Sequence, residues 1–248
     1  MKKSGMDSHS SEEQRSIVFP FVPQKKIPQN AILALGNESW EILRKLLPGH
    51  QEKKFSLGKI LENTNFSCVG PATGSPAAAL FLEQMIASGA KNIIALGCAG
   101  SLQPGLLIGD YLLATGSLSE EGTSSHYFPD QKQPMPDTKA ISALADILQK
   151  KGISFQEGMV WTTDAPYREL VWKVKKYQES NIYAVEMEIS ALYTVARFHG
   201  VALAAIVVIS DELFTFQWKR GFNKPLFKEK FHHLAKTILE SFICLEKK

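Results

Sequence analysis

The sequence predicts an α/β fold: one three-layer αβα domain around a central, mixed, largely parallel twisted sheet. Three observations lead there. Short apolar runs of strand length alternate with segments of helical spacing along most of the chain, as in βαβ units. The run "VALAAIVVIS" (201–210) is continuous, apolar and β-branched, as a strand covered on both faces must be. At 248 residues, 44% of them hydrophobic and 21% charged, the chain can build one large core.

Each element follows from local chemistry. "AILAL" (31–35) is a short apolar strand ended by Gly36, and "ESWEILRKLL" (38–47) has helical spacing stopped by Pro48-Gly49. "KKFSLGKILENTNFSCVG" reads as a hairpin-like pair of strands ending at Gly70. "SPAAALFLEQMIASG" opens with Ser75 as N-cap and Pro76 at N1, and closes on Gly89. "NIIALG" (92–97) and "GDYLLATGSL" (109–118) are strands, and Asp137 caps a helix through "TKAISALADILQKKG". A strand near 158–162, a helix within 167–179, a strand at 182–185 and a helix at 187–199 ended by Gly200 come after it. Beyond the 201–210 strand, a last helix covers roughly 225–245. Nothing divides the chain, so residues 16–248 are expected to form one domain behind a poorly ordered tail at 1–15.

Composition excludes several functions. Lys and Arg (28) barely exceed Asp and Glu (25), and the lysines are scattered, which argues against a nucleic-acid surface. No apolar run reaches membrane-spanning length, and the basic start lacks the apolar stretch of a signal peptide. Cys68, Cys98 and Cys244 are an odd number in apolar or Gly-rich settings, the pattern of reduced cysteines in a cytoplasmic protein. No His and Cys pair has zinc spacing, so no metal is expected; His232 and His233 are adjacent on a surface helix.

Chemistry in such a fold collects at the carboxyl ends of strands. Four of those ends carry unusual residues: Gly36-Asn37, "GPATG" with Thr73, "GCAGS" with Cys98, Ala99, Gly100 and Ser101, and Asp211-Glu212. The two Gly-rich turns offer backbone N–H groups to an anion or a sugar hydroxyl, although neither is a dinucleotide fingerprint or a P-loop. Asp211 comes directly after a long buried strand, so it either caps the next segment or faces the cleft. "AVEMEISALY" (184–193) sets Glu186 and Glu188 where the chain enters its core, and acids are buried only when paired or used.

In order, "AILALGNES", "GPATGSPAAA", "IIALGCAGSLQPGLLIGDYLLATGSLSEEGTSSHYFP", "WTTDAPYRE", "AVEMEISALY" and "VVISDEL" resemble the nucleoside phosphorylase family. That family includes uridine phosphorylase, hexameric purine nucleoside phosphorylase and methylthioadenosine/S-adenosylhomocysteine nucleosidase. The likeness runs from about residue 30 to 215, and the middle stretch looks closest to uridine phosphorylase. It implies a pentosyltransferase that cleaves the N-glycosidic bond of a purine or pyrimidine (deoxy)ribonucleoside with phosphate. Phosphate would be a co-substrate, with no other cofactor, and the assembly a homodimer or homohexamer. Glu188, with Glu186 beside it, would hold the ribose hydroxyls, Met187 would pack on the sugar, and Asp211 would protonate a departing purine. An ionised carboxylate has acceptor sites enough for both hydroxyls of a cis-diol. The positive charge that builds on a sugar during such cleavage favours nearby carboxylates.

Tyr167 and Arg168 in "TTDAPYRE" fall in the base-binding segment, together with Thr73 and the Cys98–Gly100 turn. Pro166 stands where an aromatic often stacks on the base, so base preference stays open between purine and pyrimidine. The family's phosphate-binding arginines are replaced by Trp40 and Ala95. That leaves only the backbone of Gly36 and Asn37 and the turn from Cys98 to Ser101 as a weak anion site. Glu38 and Glu41 lie near the nucleosidases' water-activating Glu, but Trp40 takes its aligned position. Three readings therefore compete: phosphorolysis, hydrolysis by water, and binding without turnover.

Overall fold

In the computed structural model of the chain, the structure describes residues 16–24 and 26–243. The expected tail at 1–15, Cys244 and the end of the last helix lie outside them. Ten strands and six helices run in the order β1 (Asn30–Leu35), α1 (Gly36–Leu46), β2 (Lys53–Phe55), β3 (Gly58–Glu62), β4 (Phe66–Ala72), α2 (Ser75–Ser88), β5 (Asn92–Ser101) and β6 (Tyr111–Glu120). Then come α3 (Thr138–Lys150), β7 (Gln156–Thr163), α4 (Val171–Glu179), β8 (Ile182–Glu186), α5 (Ile189–His199), β9 (Ala202–Glu212), β10 (Lys219–Arg220) and α6 (Pro225–Ile243).

The strands form one mixed sheet in the order β10-β9-β6-β7-β8-β5-β1-β4-β3-β2, in which β9 also pairs with β5. Its centre alternates between two cores, as side chains on a pleated strand must. Along β1, Ala31, Leu33 and Leu35 join the cluster built with α2 and α5. Ile32 and Ala34 join the one built with α1, α3 and α6. The expected mixed α/β sheet with helices packed on its two faces is therefore present. Not foreseen is a closed ring of pairings, β5–β8–β7–β6–β9–β5. The long strands β5 and β9 meet different neighbours along their length, and bulges such as that between Ala99 and Gly100 bend them to do so.

Several boundaries differ from the sequence reading, each for a local reason. "KKFSLGKILENTNFSCVG" is three strands rather than two, because Ser56 turns the chain with φ 52° between β2 and β3. Ser75 is the first residue of α2 rather than its cap; Gly74 precedes it, and the Ser75 hydroxyl donates to the Met187 carbonyl at 2.8 Å. The segment 167–179 holds a 3₁₀ turn at Pro166–Arg168 before α4 begins at Val171. "GCAGS" is no turn but the extended end of β5, and Asp211 lies inside β9 rather than capping a later segment. Asp137 does cap α3, accepting the Ala140 amide at 2.8 Å.

That cap yields a direct expectation. Asp137→Ala should cost about 1 kcal/mol of stability, the usual loss for an acidic N-cap, read as a lower midpoint in denaturant with an unchanged slope.

Candidate active site

The two acids of "AVEMEIS" divide the work. Glu186, at the end of β8, is buried and its carboxylate is fully engaged. It accepts the Glu188 amide at 2.6 Å, the Ile189 amide at 2.7 Å and the Thr162 hydroxyl. Thr162 in turn accepts the Ser190 amide at 3.0 Å. Glu186 thus satisfies the amino end of α5, where the first backbone N–H groups have no helical partner. This is why α5 starts at Ile189 rather than at 187.

Glu188, two residues on, is buried as well; its carboxylate accepts the Gly74 amide at 2.6 Å and is also lowered by a bond from the Met187 backbone, but no side chain binds it among the described residues. Gly74 turns that amide inward with φ 82°, a conformation that glycine adopts without strain. Burial pushes the carboxyl groups of both acids upward from their ordinary range, and at Glu186 the neighbouring charge of Glu188 adds to it. Glu188 keeps acceptor sites free, and Glu186 does not.

Opposite them, β5 and β9 set Gly100 beside Asp211. A side chain at Gly100 would meet Leu213 Cδ1 at 2.5 Å and Asp211 Oδ2 at 3.1 Å, so the glycine makes room for the acid. Asp211 accepts the Ser210 hydroxyl at 2.7 Å on one oxygen and the Trp218 indole N–H at 2.7 Å on the other. Burial raises its carboxyl, against the pull of those two donors. The Cys98 thiol bonds to Ser210 and lies in the field of Glu38, Glu188 and Asp211; burial pushes it up to about 12, so it is a neutral thiol. Gly36 opens α1 with φ 73°, and Glu38 Oε2 stands 3.7 Å from where a Gly36 side chain would begin. Glu188, Asp211 and Glu38 are therefore acids grouped around the Cys98 thiol, with the Gly74 amide bonded to one of them. Among the described residues no cluster of three or more His, Cys, Asp or Glu is placed to hold a metal ion.

A sequence model described as the phosphorylase superfamily matches residues 32–240. The chain belongs to the phosphorylase superfamily. Among its relatives, the guanosine phosphorylase of Halorubrum lacusprofundi is 28% identical over 152 residues, 61% of this chain and 63% of that protein. The DeoD-type purine nucleoside phosphorylase of Bacillus cytotoxicus is 31% identical over 151 residues, 60% of this chain and 64% of that one. The chain thus spans less than two thirds of the length of these relatives. Two solved structures share the fold. A Toxoplasma gondii purine nucleoside phosphorylase in complex with immucillin-H gives a TM-score of 0.77 at 19% identity, covering 89% of this chain and 92% of its own. An AMP nucleosidase from Bacteroides thetaiotaomicron gives 0.71 at 22%, covering 90% and 91%.

Within this superfamily member, the sequence-predicted residues scatter more than expected. Met187 is half-buried beside Glu188, and its carbonyl holds Ser75. Thr73 and Asn37 are exposed, and Ala99 is packed in the core. Ser101 turns away from the proposed anion site to bond the Gln103 backbone, donating to the carbonyl at 3.0 Å. Tyr167 is 91% exposed and Arg168 is exposed; Tyr167 lines an outer cavity of about 730 Å³ with Trp218, Arg220 and Lys224. Trp40 and Ala95 are both core residues, and the Trp40 indole N–H has no partner among the described residues. Trp218 was missed; the clue was a Trp followed by two cations, seven residues after Asp211. The buried acid Glu121 was missed too. Burial alone would raise it, but donors from Ser124, Ser119 and Ser190 outweigh that and hold it below its ordinary range.

The uneven environment of Glu188 separates stability from binding. Glu188→Gln keeps an acceptor for Gly74 and removes a buried charge. A carboxyl raised by folding costs stability once pH exceeds its ordinary value, and the cost grows towards its folded value. The variant should therefore unfold at a higher temperature near about pH 8, by roughly 1 kcal/mol, with the gain vanishing near about pH 4. Calorimetry at the two pH values checks the sign, and nucleoside affinity should fall at the same time.

Proposed function

We propose that the chain cleaves the N-glycosidic bond of purine nucleosides, with phosphate as nucleophile, releasing the free base and a pentose 1-phosphate. The observation that carries this reading is a pair of buried carboxyls on either side of the Cys98 thiol. Glu188 is anchored by the Gly74 amide, and Asp211 is raised by burial. Both named relatives are phosphorylases of purine nucleosides, which supports the same reaction here.

The steps are dictated by charge. Glu188, ionised, accepts the 2′- and 3′-hydroxyls of the ribose in charge-assisted bonds. As the C1′–N9 bond lengthens, electrons move onto the base and positive charge grows on the sugar, which the Glu188 carboxylate stabilises. Asp211, protonated, gives its proton to N7, so the base leaves neutral. A phosphate oxygen closes on C1′, and the proton that phosphate carried restores the acid. Raising Asp211 by burial keeps a proton on it closer to neutral pH than an ordinary Asp would allow.

A second reading, hydrolysis by water, is favoured by one observation. The nucleophile side of the cleft holds the Glu38 carboxylate and a neutral thiol, while Trp40 and Ala95, aligned with the family's phosphate-binding arginines, are packed in the core. An acid there suits the activation of water better than the binding of a dianion.

One measurement separates these: base release from guanosine, inosine, adenosine, methylthioadenosine and uridine, followed by chromatography with and without phosphate. Release that requires phosphate supports phosphorolysis; release indifferent to phosphate assigns the water reaction. With no release at all, binding without turnover remains. On either catalytic reading, Asp211→Asn should lower kcat/KM for a purine nucleoside roughly 10²- to 10⁴-fold, the usual contribution of a general acid. A smaller loss for uridine than for inosine would place its action on the purine ring.

A further inference from the structure

Trp218 is 52% exposed, so burial alone does not account for its place. The chain around it does. After β9 the chain returns as β10, antiparallel to it, with Arg220 opposite Asp211 and Lys219 opposite Glu212. Lys219 bonds Glu212 at 2.6 Å, and Gly221 packs so closely that a side chain there would collide with the Ser210 carbonyl. The Arg220 guanidinium lies over the Trp218 ring, 4.0 Å from its centre. The indole N–H is thereby aimed at Asp211 Oδ2, 2.7 Å away.

The two donors on Asp211 are not alike. An indole N–H can only donate, whereas a hydroxyl can donate or accept. Oδ2, facing the indole, can therefore only accept, and a proton on Asp211 belongs on Oδ1. Ser210 Oγ lies 2.7 Å from Oδ1 and also reaches the Ala99 carbonyl at 3.2 Å. Its hydroxyl can serve the carbonyl while Oδ1 carries the proton, and Oδ1 once that proton has gone. Among the described residues no other group bonds to the Asp211 carboxyl. The titratable and charged groups that face it are Glu212 next along β9, tied to Lys219, the neutral Cys98 thiol on β5, Glu169 just after the 3₁₀ turn, and Arg220 over the indole.

We propose that Trp218 is a positioning residue for the acid step: it keeps the transferable proton on Asp211 Oδ1 and stabilises the carboxylate left when that proton departs. This rests on the reading of Asp211 as the acid at purine N7. The O–H bond at Oδ1 breaks, its electron pair stays on the carboxylate, and the proton bonds to the lone pair of N7. As charge grows, the Ser210 hydroxyl turns from Ala99 to Oδ1, and the Trp218 bond to Oδ2 changes from a neutral to a charge-assisted one. A bond that strengthens towards the transition state speeds the step rather than tightening the substrate. The same bond favours the ionised form in the free protein, so losing it moves the Asp211 carboxyl further up.

Trp218→Phe keeps a ring beneath Arg220 and removes the donor. Two readouts test it, with the melting temperature confirming that the variant is folded. One is cleavage of inosine by Trp218→Phe, by Asp211→Asn and by the double variant. The other is a carboxyl-carbon NMR titration of Asp211, whose signal is the one absent from Asp211→Asn. In Trp218→Phe, kcat should fall roughly tenfold to a hundredfold, the range for a bond to a charged group. The alkaline limb of kcat/KM and the Asp211 titration should both move to higher pH. In the double variant the loss should not exceed that of Asp211→Asn, because Trp218 acts through that carboxyl. Losses that add, or a titration that does not move, overturn the proposal and leave the acid reading intact. If no nucleoside is cleaved, or Asp211→Asn cleaves as the parent does, the acid reading falls and the catalytic role of Trp218 falls with it; a moved titration then leaves only its hold on Asp211.

Discussion

The bond set at Glu186 is the constraint on which the rest of the cleft depends. Two backbone amides and the Thr162 hydroxyl converge on one buried carboxylate, fixing where β8 stops and α5 starts. Glu188 is then delivered to the cleft with its direction set by backbone rather than by its own rotamers, and Gly74 meets it across 114 residues of sequence. Behind the pair a polar spine continues. Ser190 donates its hydroxyl to Glu121 at 2.9 Å, and Thr194 reaches the Ser124 hydroxyl at 2.9 Å, which ties the 119–128 segment to α5. Side chains locked by such bonds hold the geometry on which a binding site depends.

The cleft's electrostatics are lopsided. Glu188, Asp211 and the Cys98 thiol are all raised, chiefly by burial, and no ion pair relieves any of them among the described residues. By contrast, three other acids are matched: Glu120 by Lys173 and Tyr177, Glu212 by Lys219, Glu121 by its hydroxyls and amides. Acids raised by burial and left without a cation in one place, in a chain that holds the buried Glu121 and Glu212 down, suit the hydroxyl and N–H donors of the ligand proposed above.

Much of the fold was legible in the sequence because it rests on local rules. The apolar run of β9, the Gly89 and Gly200 helix ends and the Asp137 cap all act within a few residues, and all were found where the pattern put them. The ring of strands was not legible, since it depends on a few cross-strand pairs such as Gly100 with Val185 that leave no periodicity. At the site, the acids could be read but not sorted. Glu186 and Glu188 look equivalent in sequence, and only the path of α5 decides that one is a cap and the other is open. Trp218 reaches Asp211 from a loop, and a contact made from a loop has no spacing rule to betray it.

The margins of the sheet bear on how copies of the chain can meet. One edge ends on the three residues of β2 and the other on the two of β10. The exposed residues at these margins are Lys53 and Lys54 on one side and Lys219 and Arg220 on the other. Short, basic edges are poor templates for a further strand, because an incoming chain finds few free backbone groups and like charge beside them. A ten-stranded sheet with long apolar strands at its centre would otherwise invite fibrillar stacking. Among the described residues the sheet therefore offers little backbone at either margin for a further strand.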